Sequence, residues 1–214
     1  MAYKTRRWIK KWGFWIVFLL VASVVANYLP SQPDIARPTY LSVKYVVDGD
    51  TLQLSDNRKV RLIGVDTPEA YESNKLDREA RRTKQSKFVI MREGKKASAF
   101  TKKLAQNQRV RLEFDPANMK NQHLDKYGRL LAYVYILSPS DTENTEYIYV
   151  DNPDDGRMLF LNASLLSAGY AEAFRRFRFE RKVEFVALEK EAKQKKRGLW
   201  SSKNVPFFEH KKRK

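Results

Sequence analysis

The sequence predicts a small, mainly β domain of the α+β kind: a closed or partly open five-stranded barrel with helices packed on it. Three observations carry this. Short runs of alternating or β-branched apolar residues recur along the chain. Asp-Gly and Asp-Asn pairs break those runs, as tight turns do. Stretches with helical spacing are few and fall between or after the strands.

Residues 40–47, 51–54 and 59–65 read as three consecutive strands, separated by Asp48-Gly49 and Asp56-Asn57. Residues 109–114 and 130–137 read as two more. Between these sets, Ala97, Phe100, Thr101 and Leu104 share one face of a helix over 97–105, which the charged stretch 76–94 could extend upstream. A short helix is expected over 162–168, closed by Gly169. A longer one is expected over 183–195, with Val183, Val186, Ala187 and Glu191 on one face and Gly198 ending it. Residues 141–155 are rich in Asp, Asn, Thr and Glu and read as an exposed excursion, with 147–150 as an added strand.

Ahead of this domain lies a different kind of sequence. Met1–Lys11 is basic and free of acids, and an uncharged apolar run follows to Leu29. That is the layout of an export signal, with Val24-Val25-Ala26 as a cleavage site. The alternative is a membrane anchor, because residues 13–29 just reach the roughly 17–25 residues that a spanning helix needs. The Thr5-Arg6-Arg7 start of a twin-arginine signal is spoiled by Lys10, which stands where an apolar residue belongs. Signal or anchor, residues 1–29 place the rest outside the cytoplasm, anchored or secreted, since positive flanks stay inside. Residues 30–38 are a Pro-rich linker, 39–202 the folded domain and 203–214 a basic tail.

Composition narrows the chemistry. Of 214 residues, 42 are Lys or Arg against 25 Asp or Glu, a formal charge of +17 that draws polyanions such as nucleic acid or an anionic membrane. There is no cysteine, so disulfides, thiolate metal sites and cysteine nucleophiles are excluded. The two histidines are His123 and His210, the latter in the basic tail, which leaves little room for a histidine base or a His-rich zinc site. Hydrolysis would have to run on carboxylates, arginines and a hard cation.

Three segments concentrate such groups: Val47-Asp48-Gly49-Asp50-Thr51, then Arg61-Leu62-Ile63-Gly64-Val65-Asp66-Thr67-Pro68-Glu69, then Asp125-Lys126-Tyr127-Gly128-Arg129. Each alone reads as readily as a turn or a helix cap. Phosphodiester hydrolysis builds negative charge at phosphorus, so it needs fixed cations where that charge grows. Arg61 and Arg129 suit this, each presenting a permanently charged planar fork. Asp50 and Asp66 can supply carboxylates of the kind that hold a hard cation such as Ca²⁺, and a further carboxylate is needed to orient or deprotonate water. Asp48 reads as structural, bonding within its own turn.

Together, and with Ala97-Ser98-Ala99-Phe100-Thr101-Lys102-Lys103 and Gly198-Leu199-Trp200-Ser201, these segments resemble the staphylococcal nuclease family from about Val43 to Trp200. The resemblance implies an OB-fold barrel of five strands with about three helices. It implies a Ca²⁺-dependent endonuclease acting on DNA and RNA with little sequence preference, leaving 3′-phosphates, and working as a monomer. It assigns Arg61, Glu69 and Arg129 to catalysis, Asp50, Asp66 and the Thr67 carbonyl to the metal, and Lys126 and Tyr127 to the terminal phosphate of the substrate. The alternative reading is a basic barrel that binds nucleic acid without cutting it. The chain departs from the family pattern in three places, one of them a longer turn before Asp125 over Pro116 to Leu124. Arginine and phenylalanine interleave over 174–179, where tyrosines would stack on a base; these rings are a stacking platform or core. Residues 70–96 are longer than usual and carry Arg78, Arg81, Arg82, Lys84 and Lys87, a backbone clamp or an exposed basic helix.

Overall fold

The computed structural model describes residues 39–201. The expected signal or anchor (1–29), the linker (30–38), the last residue of the expected domain (202) and the basic tail (203–214) lie outside the described residues. Among the described residues, no helix is long and apolar enough to cross a membrane.

Nine strands form in chain order: β1 (Thr39–Asp48), β2 (Thr51–Leu54), β3 (Lys59–Leu62), β4 (Val65–Asp66), β5 (Arg109–Glu113), β6 (Leu130–Leu137), β7 (Tyr149–Asn152), β8 (Gly156–Phe160) and β9 (Glu172–Ala173). The order β3-β2-β1-β5-β6 closes on itself, because β6 also pairs in parallel with β3. The result is a closed five-stranded barrel, which fits the OB-type fold. Two long strands make closure possible by each serving two neighbours. In β1, residues 39–42 pair with β5 and residues 43–48 with β2. Register shifts at Val43/Tyr45 and Val46/Asp48 bend it between the two. In β6, Leu130–Ala132 pair with β3 and residues 133–136 with β5. Strands β8 and β7 extend the sheet outward from β6, and β9 pairs with β4 as a separate ribbon.

The alternation read in the sequence is the inward face. Val43, Leu52, Leu54, Val60, Leu62, Val110, Leu112, Val134 and Ile136 are all buried in one core. Four helices are described: α1 (Asn74–Thr83), α2 (Lys87–Ala105), α3 (Leu161–Ser167) and α4 (Lys182–Gln194). Of these, α2, α3 and α4 pack on this core, while α1 packs on α2 around a second cluster of Leu76, Ile90, Ala192, Leu199 and Trp200. Ser73 caps α1 and Ser86 caps α2, each accepting a hydrogen bond from the N–H three residues on.

Several expectations are corrected here. The stretch 59–65 is two strands, not one. The chain turns at Ile63-Gly64, where Gly64 has φ +73 and a Cβ would strike the Phe179 and Phe185 rings. The turn lets Val65-Asp66 leave the barrel and pair with β9. The helix at 97–105 does extend upstream, but only to Lys87. Lys84 adopts a left-handed conformation (φ 57) that ends α1, so the first part of the charged stretch is a separate helix from α2. The buried face of α4 is Phe185, Glu189 and Ala192, whereas Val183 is 84% exposed. The excursion at 141–155 ends in β7 and runs on into β8, a strand the turn signals did not mark.

Candidate active site

Strand β1 ends in a tight turn whose Asp48 Oδ1 accepts the Asp50 N–H at 3.0 Å, the role in the turn that its sequence suggested. The turn drops Asp50 into the interior, only 4% exposed. A buried carboxylate has to be satisfied on every side, and Asp50 is. Its Oδ2 accepts the Thr67 N–H at 3.1 Å and the Thr67 hydroxyl at 3.2 Å. Its Oδ1 accepts the Thr51 hydroxyl at 3.2 Å and lies 3.1 Å from Arg61 Nε. Burial pushes the Asp50 carboxyl up, but Arg61, Lys75 and the Thr67 N–H outweigh it and hold it below the ordinary carboxylate range. Its neighbour Asp48 goes the other way: burial and the Asp50 charge push it up to about 7.

Arg61 comes from β3, opposite Thr51 in the β2–β3 register. Besides Asp50 it reaches Asp66 Oδ1 at 3.7 Å and donates to the Leu62 carbonyl at 2.8 Å. It therefore fixes both metal-candidate carboxylates around one guanidinium. Arg129 approaches from the other side. It donates to the Thr51 hydroxyl at 3.2 Å, so Thr51 links it to Asp50. Asp125 Oδ2 takes both Arg129 Nε at 2.7 Å and a terminal nitrogen at 2.6 Å, which anchors the fork on one carboxylate oxygen. Asp125 Oδ1 also accepts the N–H groups of Tyr127 and Arg129, which folds the turn carrying Lys126 and Tyr127. Tyr127 is 70% exposed, with the Lys126 ammonium 4.9 Å and the Arg129 guanidinium 5.4 Å from its ring.

Glu69 follows Asp66 and Thr67 on the segment leading to α1. Ser73 donates to its Oε2 at 3.1 Å, and the Lys75 ammonium lies 2.6 Å from its Oε1. Lys75 also reaches Asp66 Oδ1 at 3.3 Å. Behind Glu69, the backbone of α2 comes close at Gly94, where a Cβ would lie 2.4 Å from the Glu69 carbonyl oxygen and 2.7 Å from the Ala70 nitrogen. One more contact from α2 braces the turn: Thr101 donates to the Gly49 carbonyl at 2.7 Å.

Asp50, Arg61, Asp66, Thr67, Glu69 and Arg129 thus form one connected set, through Thr51 and Lys75. Lys126 and Tyr127 stand at its rim, on the turn that positions Arg129. Among the described residues, no group of three or more His, Asp or Glu is gathered closely enough to hold a metal ion by itself. The donors present are carboxylate, hydroxyl and carbonyl oxygens, which suit a hard cation that completes its shell with water. His123 is buried against the Phe114 ring, and burial pulls its imidazole below the ordinary range. The Arg/Phe stretch divides between its two readings. Phe179 is core, packed on Phe185, while Phe177 is 67% exposed and tilted against Phe174 at 5.4 Å.

The sequence reading gave no role to Thr51 and Asp125, although both stand in the segments it singled out, and it missed Ser73, Lys75 and Gly94 as parts of this site. Asp125 had a local signal, since an acid four residues before Arg129 across a turn invites that pair. Thr51 lies beside Asp50 in the chain but carries no signal of its own, and Ser73, Lys75 and Gly94 have none beyond helix capping by Ser73, because the fold brings them to Glu69.

Comparison with known proteins matches the sequence to one family. The model for staphylococcal nuclease homologues matches residues 59–202, most of the chain, although Asp50 lies just upstream of the matched stretch. A thermonuclease of Staphylococcus intermedius is 37% identical over 134 residues, 58% of this chain and 68% of that protein. A thermonuclease of Staphylococcus hyicus is 32% identical over 168 residues, 77% of this chain and 76% of its own. An uncharacterized protein of Methanocaldococcus jannaschii is 35% identical over 184 residues, 83% of this chain and 79% of its own. The family match runs from β3 to the end of the described domain, and this chain belongs to the family of staphylococcal nuclease homologues.

Proposed function

We propose that this protein is a Ca²⁺-dependent nuclease, a phosphodiesterase that hydrolyses DNA and RNA with little sequence preference and leaves 3′-phosphates. The observation that supports it best is the joining of two arginines and three carboxylates in one set of hydrogen bonds and ion pairs, which a mere binding surface does not require. Arg61 and Arg129 approach Asp50 from two sides, so a phosphate between them would meet a guanidinium on each flank as charge builds. Glu69, held by Ser73 and backed by Gly94, is the carboxylate placed to orient the attacking water. Asp50 and Asp66, with the Thr67 carbonyl, would hold the cation, and Lys126 and Tyr127 would meet the substrate's terminal phosphate. The cation itself would supply Lewis-acid stabilisation of the phosphoryl oxygens. The basic N-terminal segment and the apolar run after it would place this domain outside the cytoplasm, anchored or secreted.

The test is release of acid-soluble nucleotides from DNA and RNA in Ca²⁺ and in chelator, with binding measured in parallel. Cleavage should need Ca²⁺, and Glu69→Gln should keep binding and lose cleavage. Full activity in chelator would overturn the metal assignment. A wild-type protein that binds both polymers but cuts neither in Ca²⁺ would make it a binding module instead.

A further inference from the structure

Lys75 stands in the first turn of α1, behind the Ser73 cap. A cation is poorly placed there, because the helix N-terminus carries the positive end of the dipole and favours acids. Its tip lies instead against two carboxylates of the candidate site, 2.6 Å from Glu69 and 3.3 Å from Asp66. Those are the oxygens a divalent ion and its hydration shell would use. Yet the Lys75 side chain is 43% exposed, and its four-carbon stem can carry the ammonium out to water without unfolding the helix.

We infer that Lys75 is a tethered cation that competes with the divalent metal for Asp66 and Glu69, and so sets how much metal the site requires. It rests on the metal assignment proposed above. Without metal, the lysine keeps the two carboxylates together and prevents their mutual repulsion from opening the site. When metal binds, Lys75 must give up at least one of them. A site built this way stays inactive where Ca²⁺ is scarce and turns on where it is plentiful, which suits a protein sent outside the cell.

The experiment is calorimetric titration of the whole protein with Ca²⁺ alone, comparing wild type, Lys75→Gln and Lys75→Arg. Lys75→Gln should bind Ca²⁺ at least tenfold more tightly, about 1.4 kcal/mol, while Lys75→Arg should stay near wild type. A folded Lys75→Gln with unchanged or weaker affinity would overturn the inference. Amine acetylation of the wild type, read by mass spectrometry, keeps the inference testable if Lys75→Gln does not fold. Lys75 should be protected in chelator and become reactive in saturating Ca²⁺, and equal reactivity in both would overturn it. A wild type that binds no Ca²⁺ at all would overturn the proposed metal site, and this inference with it.

Discussion

Replacing Asn162 should cost more stability than its size suggests. Asn162 is fully buried at the start of α3 and plugs the seam where β3 and β6 part. Its Oδ1 accepts the Val134 N–H at 2.9 Å, and its Nδ2 donates to the Ile63 carbonyl at 2.9 Å and the Ala132 carbonyl at 3.3 Å. In Asn162→Ala, Ala132 keeps its bond from the Ile63 N–H at 3.0 Å. The Val134 N–H and the Ile63 carbonyl lose their side-chain partner in a buried place. At about 1–3 kcal/mol for each such group, plus a small cavity, the loss should be about 3–5 kcal/mol. For a domain of this size that lowers the melting temperature by about 6–20 °C. Asn162→Asp is the sharper probe. It keeps the acceptor but points an anion at two carbonyls, so its deficit should be larger at pH 7 than at pH 5, where protonation restores a donor. Urea denaturation of the three proteins at both pH values reads this directly. An alanine variant within 1 kcal/mol of wild type would refute the reasoning, because it would mean water replaces the amide freely.

Three other outcomes are expected. Gly94→Ala should lower kcat at least tenfold with nucleic-acid binding kept, because its Cβ must displace the Glu69 backbone; steady-state kinetics on a folded variant, showing an unaltered kcat, would remove α2 from the positioning of Glu69. Arg61→Lys and Arg129→Lys each keep one charge but lose the fork, and each should lower kcat by on the order of 10²; single-turnover rates near wild type would exclude that arginine from the chemistry. Glu79 is 4% exposed, and burial pushes its carboxyl up from 4.5 to about 7. Between those values the folded state holds a proton that the unfolded state has lost, so stability falls as pH rises through this window. Glu79→Gln should therefore match wild type near pH 4 and exceed it near pH 8 by at most about 3 kcal/mol; denaturation curves whose difference ignores pH would contradict this.

Much of the barrel was legible because its strands bury one face and end in Asp-Gly or Asp-Asn turns, so Val60 and Leu62, or Val110 and Leu112, announce themselves by alternation. Strand β8 escaped because its apolar residues Met158, Leu159 and Phe160 run straight into Leu161 of α3 with no turn residue between. The face of α4 was misjudged because Val183 and Phe185 offer competing apolar stripes, and only packing against Phe160, Phe179 and Tyr133 selects Phe185. In the site, residues with distinctive chemistry at fixed spacing were visible: Arg61, Asp66 and Glu69 share one segment. Lys75 was not visible, since one lysine in a charged stretch carries no periodic or turn signal. Its meaning arises only when Ser73 starts a helix beside Glu69.

The two contacts that α2 makes with the site come from Gly94 and Thr101, seven residues apart and so about two turns along one face. At about 1.5 Å per residue the helix holds them roughly 10 Å apart. It acts as a ruler laid between the loop that presents Asp50 and the segment that presents Glu69. Changing a side chain elsewhere on that helix leaves the ruler's length alone. Removing a single residue between the two marks would rotate one by about 100° away from its partner, leaving every reactive group present in a site whose halves no longer meet.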